Sequence, residues 1–153
     1  MDKAFILKSA NKLQQVSPKA AEEYQRKADV LVAEMNLLML ERPEIESLVG
    51  VNNLNMMKDN HANHARFMIS VFLNYNAEVL VDTVLWVFRA YRSHGFSTNY
   101  WSSQLSTWIP LLKDVLSEET GKEVTPYYEW MLINIPIFVK LSDEKLEAPD
   151  ALN

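Results

Sequence analysis

An all-α fold is predicted, a bundle of about six to seven helices behind a short N-terminal helical piece. Three observations carry it. Apolar residues recur at alternating steps of three and four, the spacing that puts side chains on one helix face. Only three glycines occur in 153 residues, Gly50, Gly95 and Gly121, and each falls at an apparent turn. Ser or Thr followed by Pro stands at the head of two segments, Ser17-Pro18 and Thr125-Pro126, where caps and first-turn prolines belong.

Phe5, Ile6, Ala10, Leu13 and Val16 lie at mixed helical spacing and predict a short helix ending before Ser17-Pro18. That pair reads as an N-cap with Pro at the first helical position. Glu22 and Glu23 then sit near the positive end of the next helix dipole. This helix runs from Pro18 to about Arg42, where Pro43 stops it, with Tyr24, Ala28, Leu31, Met35 and Leu38 as its seam. Its length predicts a face that reaches beyond one subunit and packs on a partner.

Residues 43–55, with Gly50 and Asn52-Asn53, read as a short helix and loop. A helix from about Asn55 to Tyr75 follows, with Met57, His61, His64, Met68, Val71 and Tyr75 on one face. After a turn at Asn74–Asn76, Ala77–Ser93 is apolar on nearly every side, which predicts a central, buried helix. His94-Gly95 closes it, glycine suiting the left-handed C′ position, while Arg92 and His94 complement the dipole.

Ser97 or Thr98 caps a helix carrying Trp101, Leu105, Trp108, Leu112 and Val115, with a kink expected at Pro110. Gly121 reads as the end of a turn. Thr125-Pro126 reads as the start of the last helix, through Tyr128, Met131, Leu132, Ile135 and Val139, bent at Pro136. Residues 142–153 are polar and charged and are expected to form a loose tail. The chain thus divides into an N-terminal extension (1–17), a helical domain (18–141) and a tail (142–153).

Composition narrows function. The length suffices for one domain with a real core. A formal charge of −5 and the lack of any basic run exclude a nucleic-acid surface. The absence of cysteine removes disulfides, thiolate zinc sites, iron–sulfur clusters, a Cys nucleophile and any thioether-attached cofactor. The N-terminal MDKAFILKSANK has an apolar core too short for a signal peptide, and no apolar run approaches the roughly 20 residues of a bilayer span. A soluble, cytoplasmic protein without membrane contact is expected. No phosphate loop, Gly-x-Ser-x-Gly turn or His-Glu-x-x-His motif occurs, so an enzyme is not expected.

The histidine pair is the one constellation suited to ligand chemistry. His61 and His64 stand one turn apart on a face that is otherwise apolar, where imidazoles converge on a metal or a tetrapyrrole. The plainer reading is a pair of core-edge histidines hydrogen-bonded to Asn, Tyr or backbone carbonyls. A third is a pH-responsive interface. A di-iron site is disfavoured, because Glu34, Glu78 and Asp82 form no Glu-x-x-His unit. Met35, Met39, Met56, Met57 and Met68 suit either core packing or a pliable pocket wall. Among the tryptophans, Trp108 reads as core, and Trp101, in the first turn of its helix, as a pocket or interface residue.

The helix order and the stretch Asp59-Asn60-His61-Ala62-Asn63-His64-Ala65-Arg66-Phe67 resemble the phycobilisome branch of the globin-like superfamily. The turn near Asn76, the helix with Asp82 and Trp86, then Tyr91–Gly95 and Ser97–Leu116 continue the likeness, over about Pro18 to Leu116. His64, Arg66 and Phe67 are similar to a His-x-Arg-aromatic pattern in the helical domains that precede cobalamin-binding domains of bacterial regulators. The layout is also similar to the non-haem globin domains of bacterial stress-signalling assemblies. The resemblance implies a globin-like bundle that dimerises through helices. Where phycobiliproteins carry a bilin-attaching Cys and an orienting acid, this chain has Met57 and Asn60. A covalent bilin is therefore excluded, whereas a non-covalent tetrapyrrole stays open.

The combined expectation is a non-enzymatic, globin-like sensory or regulatory module, a homodimer that signals to a partner protein through a ligand-dependent shift of helix packing. A small hydrophobic ligand or a partner protein is expected in a cleft between the histidine helix and the Trp86 and Trp101 helices. His61, His64, Met57, Met68, Arg66, Trp86 and Trp101 are the expected contacts. The alternatives are haem or another non-covalent tetrapyrrole held by His61 or His64, and a purely structural dimerisation module.

Overall fold

The computed structural model describes residues 3–147, and they form eight helices with no strand among them. In chain order these are α1 (Lys3–Ala10), α2 (Pro18–Leu40), α3 (Ile45–Val49), α4 (Leu54–Leu73), α5 (Ala77–Ser93), α6 (Asn99–Val115), α7 (Glu118–Ile133) and α8 (Ile135–Glu147). The all-α prediction is met, with α1 as the N-terminal piece. Among the described residues no helix is long and apolar enough to cross a membrane.

Caps fix most boundaries. Ser17 Oγ accepts from the Ala20 amide and Pro18 opens α2, as the sequence indicates. Asn76 caps α5 through the Val79 amide. Of the two candidates at α6, Ser97 supplies the hydrogen bond, accepting from the Asn99 amide, and Thr98 makes none. Gly50 and Gly95 sit at φ 97° and 100°, where side chains are strained. Between them, Asn53 Nδ2 donates to Val49 O and His94 O, tying the α3–α4 corner to the α5–α6 corner.

The helices pack as two groups. α2 lies against α4, α6 and α7, and α6 lies against α7. α5 packs on α8 and α1. Tyr24, Leu31, Met35 and Met39 from α2, with Met57 and Met68 from α4, fill the first group at essentially zero exposure. The concentrated methionines thus serve mainly as core packing.

Two serine caps join α2 to α7 reciprocally. Glu23 of α2 accepts from the Ser117 amide (2.6 Å), Ser117 Oγ (2.7 Å) and Thr120 Oγ1 (2.7 Å). Glu123 of α7 accepts from the Ser17 amide and Ser17 Oγ, both at 2.8 Å. Each helix start is therefore held by a carboxylate six residues into the other helix. Burial opposes charge on Glu23, but the Ser117, Thr120 and Lys27 donors outweigh it and lower its pKa to about 2.

Five expectations need correction. The seam of α2 ends on buried Met39 rather than Leu38, because a 3.6-residue repeat carries the core face four residues on from Met35. α5 is an outer helix: Val79 and Trp86 are exposed, since α1 and α8 cover only part of its surface. α7 starts at Glu118, capped by Ser117, so Gly121 and Pro126 lie inside it and Pro136 belongs to a separate helix. The N-terminal extension is integral, with Ile6 and Ala10 in the core and Trp130 Nε1 donating to Ser9 Oγ. Finally, helix continues past 142: Ser142 is buried and Asp143 pairs with Arg92. Residues 148–153 of the expected tail lie outside the described residues.

Candidate ligand-binding site

The inner face of α4 carries Asn60, His61 and His64, one helical turn of polar residues set into an apolar seam. His61 is fully buried. Its Nδ1 lies 2.7 Å from Asn36 Oδ1, so the amide oxygen accepts and the ring proton sits on Nδ1. Its Nε2 faces Tyr100 OH at 3.4 Å. Burial lowers the His61 pKa to about 4, keeping the imidazole neutral at pH 7.

His64 joins a second chain. Its Nε2 is 2.9 Å from Tyr128 OH, which is 2.6 Å from Tyr24 OH, linking α4, α7 and α2. Burial, with His61 nearby adding to it, lowers the His64 pKa to about 3. The Trp108 ring packs on His64 at 5.0 Å and on Tyr128 at 5.7 Å, while its indole N–H is buried without a partner among the described residues. Trp108 is thus the core aromatic that its seam predicts.

Beyond this network a cavity of about 580 Å³ opens between α4, α5 and α6, with Met131 of α7 also in its lining. It lies between the three helices on which the sequence places a cleft. Met56, Phe67 and the α4 polar residues Asp59, Asn60, Asn63 and His64 form one wall. Val84, Trp86, Val87, Phe88 and Tyr91 of α5 form the opposite wall. Trp101, Gln104 and Leu105 of α6 make the floor, where the Trp101 ring stacks on Phe88 at 4.5 Å and 12°. Trp86 stands at the mouth, 61% exposed. Volume and lining fall within the usual range of small-molecule sites.

The structure brings together three of the seven expected contacts: His64, Trp86 and Trp101. Met57, Met68 and His61 lie in the core behind the wall, because the seam's centre faces α2 rather than the opening. Arg66 is exposed and hydrogen-bonds Asn63 of the wall, but does not itself line the cavity. Asn60, Gln104 and Met131 were not legible as site residues, and His94, read as a cap, also lines the cavity. A signal did exist for Gln104, a lone amide on the Trp101–Leu105–Trp108 face.

The residues present do not fit a haem. Both nitrogens of His61 face protein partners and His64 spends Nε2 on Tyr128. Among the described residues, the walls carry Asp59 and no Lys or Arg to meet propionate carboxylates. Among the described residues, no group of three or more His, Cys, Asp or Glu is placed to hold a metal ion. Comparison with known proteins yields no relative: no family model matches, and no curated sequence or solved structure is significantly similar.

Proposed function

We propose that this chain is a cytoplasmic, non-enzymatic sensory module of globin-like arrangement that binds a small, largely apolar ligand between α4, α5 and α6. The observation that carries this reading is the cavity itself: about 580 Å³, walled by aromatic and aliphatic side chains with few polar groups. The exposed Trp86 at its mouth supports it, because a bound apolar molecule would cover that indole. The two seam histidines support a non-catalytic role, being already committed to Asn36 and Tyr128.

The packing suggests how occupancy would be read. α4 belongs with α2, α6 and α7, whereas α5 belongs with α1 and α8. A ligand between α4 and α5 displaces one group against the other. α5 then carries α8 through Arg92–Asp143 and α1 through Lys3–Asp82. Binding shifts a two-state packing only by its differential affinity for the two states.

A second copy of this chain is the proposed partner of α2. Val30 and Leu37 are 54% and 57% exposed on its outer face. An antiparallel twofold pairing sets Val30 against Leu37 of the partner subunit and Arg26 against Glu41 of the partner subunit, apolar on apolar and charge on countercharge.

The neutral fluorophore N-phenyl-1-naphthylamine tests the cavity. Saturable one-to-one binding to wild type is expected, and Val87→Trp or Ala90→Trp, which fill the space, should weaken it at least tenfold. Equal binding by folded Val87→Trp and Ala90→Trp proteins would place the ligand elsewhere.

A further inference from the structure

Two buried amides line the cavity with one end each unspent. Asn60 and Gln104 are 3% and 2% exposed, and both contribute to the lining. Asn60 Oδ1 accepts from Tyr100 OH at 2.8 Å and from Gln104 Nε2 at 2.6 Å. Gln104 Nε2 also reaches Tyr100 OH at 3.1 Å. These bonds orient both amides: Asn60 has used its oxygen and keeps its NH₂, while Gln104 has used its nitrogen and keeps its carbonyl.

Neither the Asn60 NH₂ nor the Gln104 carbonyl has a protein partner among the described residues. Neither is among the polar atoms sealed from solvent without a bond. The opening available to both is the cavity. Both ends are accessible from the cavity, so the pair offers a donor and an acceptor to whatever fills it.

Resting on the cavity being a ligand site, we infer that its ligand is a flat, uncharged aromatic or heteroaromatic molecule with a lactam edge, an N–H beside a C=O. The ligand carbonyl accepts from the Asn60 amide, and its N–H donates to the Gln104 carbonyl. Trp101, Phe88 and Trp86 offer ring faces and edges to the flat body. A carboxylate is disfavoured, because Asp59 and the Gln104 carbonyl face it and no Lys or Arg among the described residues lines the cavity to pair it. A simple ammonium leaves the Asn60 donor idle.

Isothermal titration of the wild-type protein with four probes tests this: 2-quinolone, 1-methyl-2-quinolone, 2-methylnaphthalene and 1-naphthoate. 2-Quinolone should bind at least about tenfold more tightly than each of the others, since a site built to hydrogen-bond an N–H rejects the analogue lacking it. In Gln104→Met, the preference for 2-quinolone over its N-methyl analogue should fall below about threefold as the acceptor is lost. Should that variant not fold, the four-probe series on the wild type is decisive by itself. Equal binding of all the neutral probes would overturn the lactam inference and leave the cavity reading standing. Tighter binding of 1-naphthoate would overturn it as well. Binding of none would remove both.

Discussion

Taking the protein from pH 7 to pH 5 should cost it about 4 kcal/mol of stability, through His61 and His64. Their folded pKa values, about 4 and about 3, lie below the ordinary 6.5 that the unfolded chain returns to. Below pH 6.5 the unfolded chain therefore binds protons that the folded chain refuses, and stability falls as pH falls. The slope is about 1.4 kcal/mol per pH unit for each histidine until its folded pKa is reached. Over the 1.5 units from 6.5 to 5 that is about 2 kcal/mol per histidine, and roughly a 10 °C drop in melting temperature for a chain of this size. Urea unfolding at intervals of half a pH unit measures it. His61→Gln, whose amide can still meet Asn36 and Tyr100, should lose about half of the pH dependence between 7 and 5. Stability constant to within 1 kcal/mol over that range would refute the neutral state of the pair.

Glu23→Gln replaces a carboxylate holding the Ser117 cap, Thr120 and Lys27, and should cost about 2–3 kcal/mol at pH 7 by urea unfolding. The folded pKa of Glu23 is depressed to about 2, so its stabilisation is complete above the ordinary 4.5 and disappears as pH falls through 2. The gap between wild type and variant should therefore be full at pH 6 and narrow below about pH 5. Tyr128→Phe strands Tyr24 OH and His64 Nε2 and should cost about 1–3 kcal/mol. In a double-mutant cycle with Tyr24→Phe, the combined loss should fall short of the sum by at least about 0.5 kcal/mol. Leu37→Glu should convert a dimer into a monomer by light scattering at micromolar concentration, with the helical circular dichroism unchanged. A wild type of one chain mass would contradict the α2 interface.

Periodicity made the backbone plan legible wherever one face of a helix is buried. Met57, His61 and Met68 on α4 fall at zero exposure as their spacing predicts. Ser17-Pro18 is a local signal and marks the start of α2 correctly. The start of α7 was obscured because Gly121 and Pro126 are breakers by propensity, while the bonds that hold this helix are tertiary. Ser117 is locked by Glu23, 94 residues away in sequence, and Tyr128 is tied to Tyr24. A Cβ at Gly121 would meet nothing within 4 Å, so no packing demand requires glycine there.

The site was harder to read for a different reason. Hydrophobicity cannot separate a core position from a cavity wall, so Trp86 and Val81 look alike in sequence although one lines the cavity and the other lies in the core. The histidine pair drew attention as the rarest residues on an apolar face. Their bonds to Asn36 and Tyr128 place them in the bundle's internal network. Asn60 and Gln104, commoner residue types on the same faces, are the ones that keep unspent bonding ends beside the cavity.

The four tryptophans make the central claim directly measurable, because each indole N–H gives its own proton–nitrogen NMR signal. Trp86 and Trp101 line the cavity, whereas Trp108 lies in the core and Trp130 is bonded to Ser9. Titration of ¹⁵N-labelled protein with N-phenyl-1-naphthylamine should move the Trp86 and Trp101 signals saturably and leave Trp130 in place. Shifts centred on Trp130, or no saturable shift at Trp86 and Trp101, would contradict a ligand site between α4, α5 and α6.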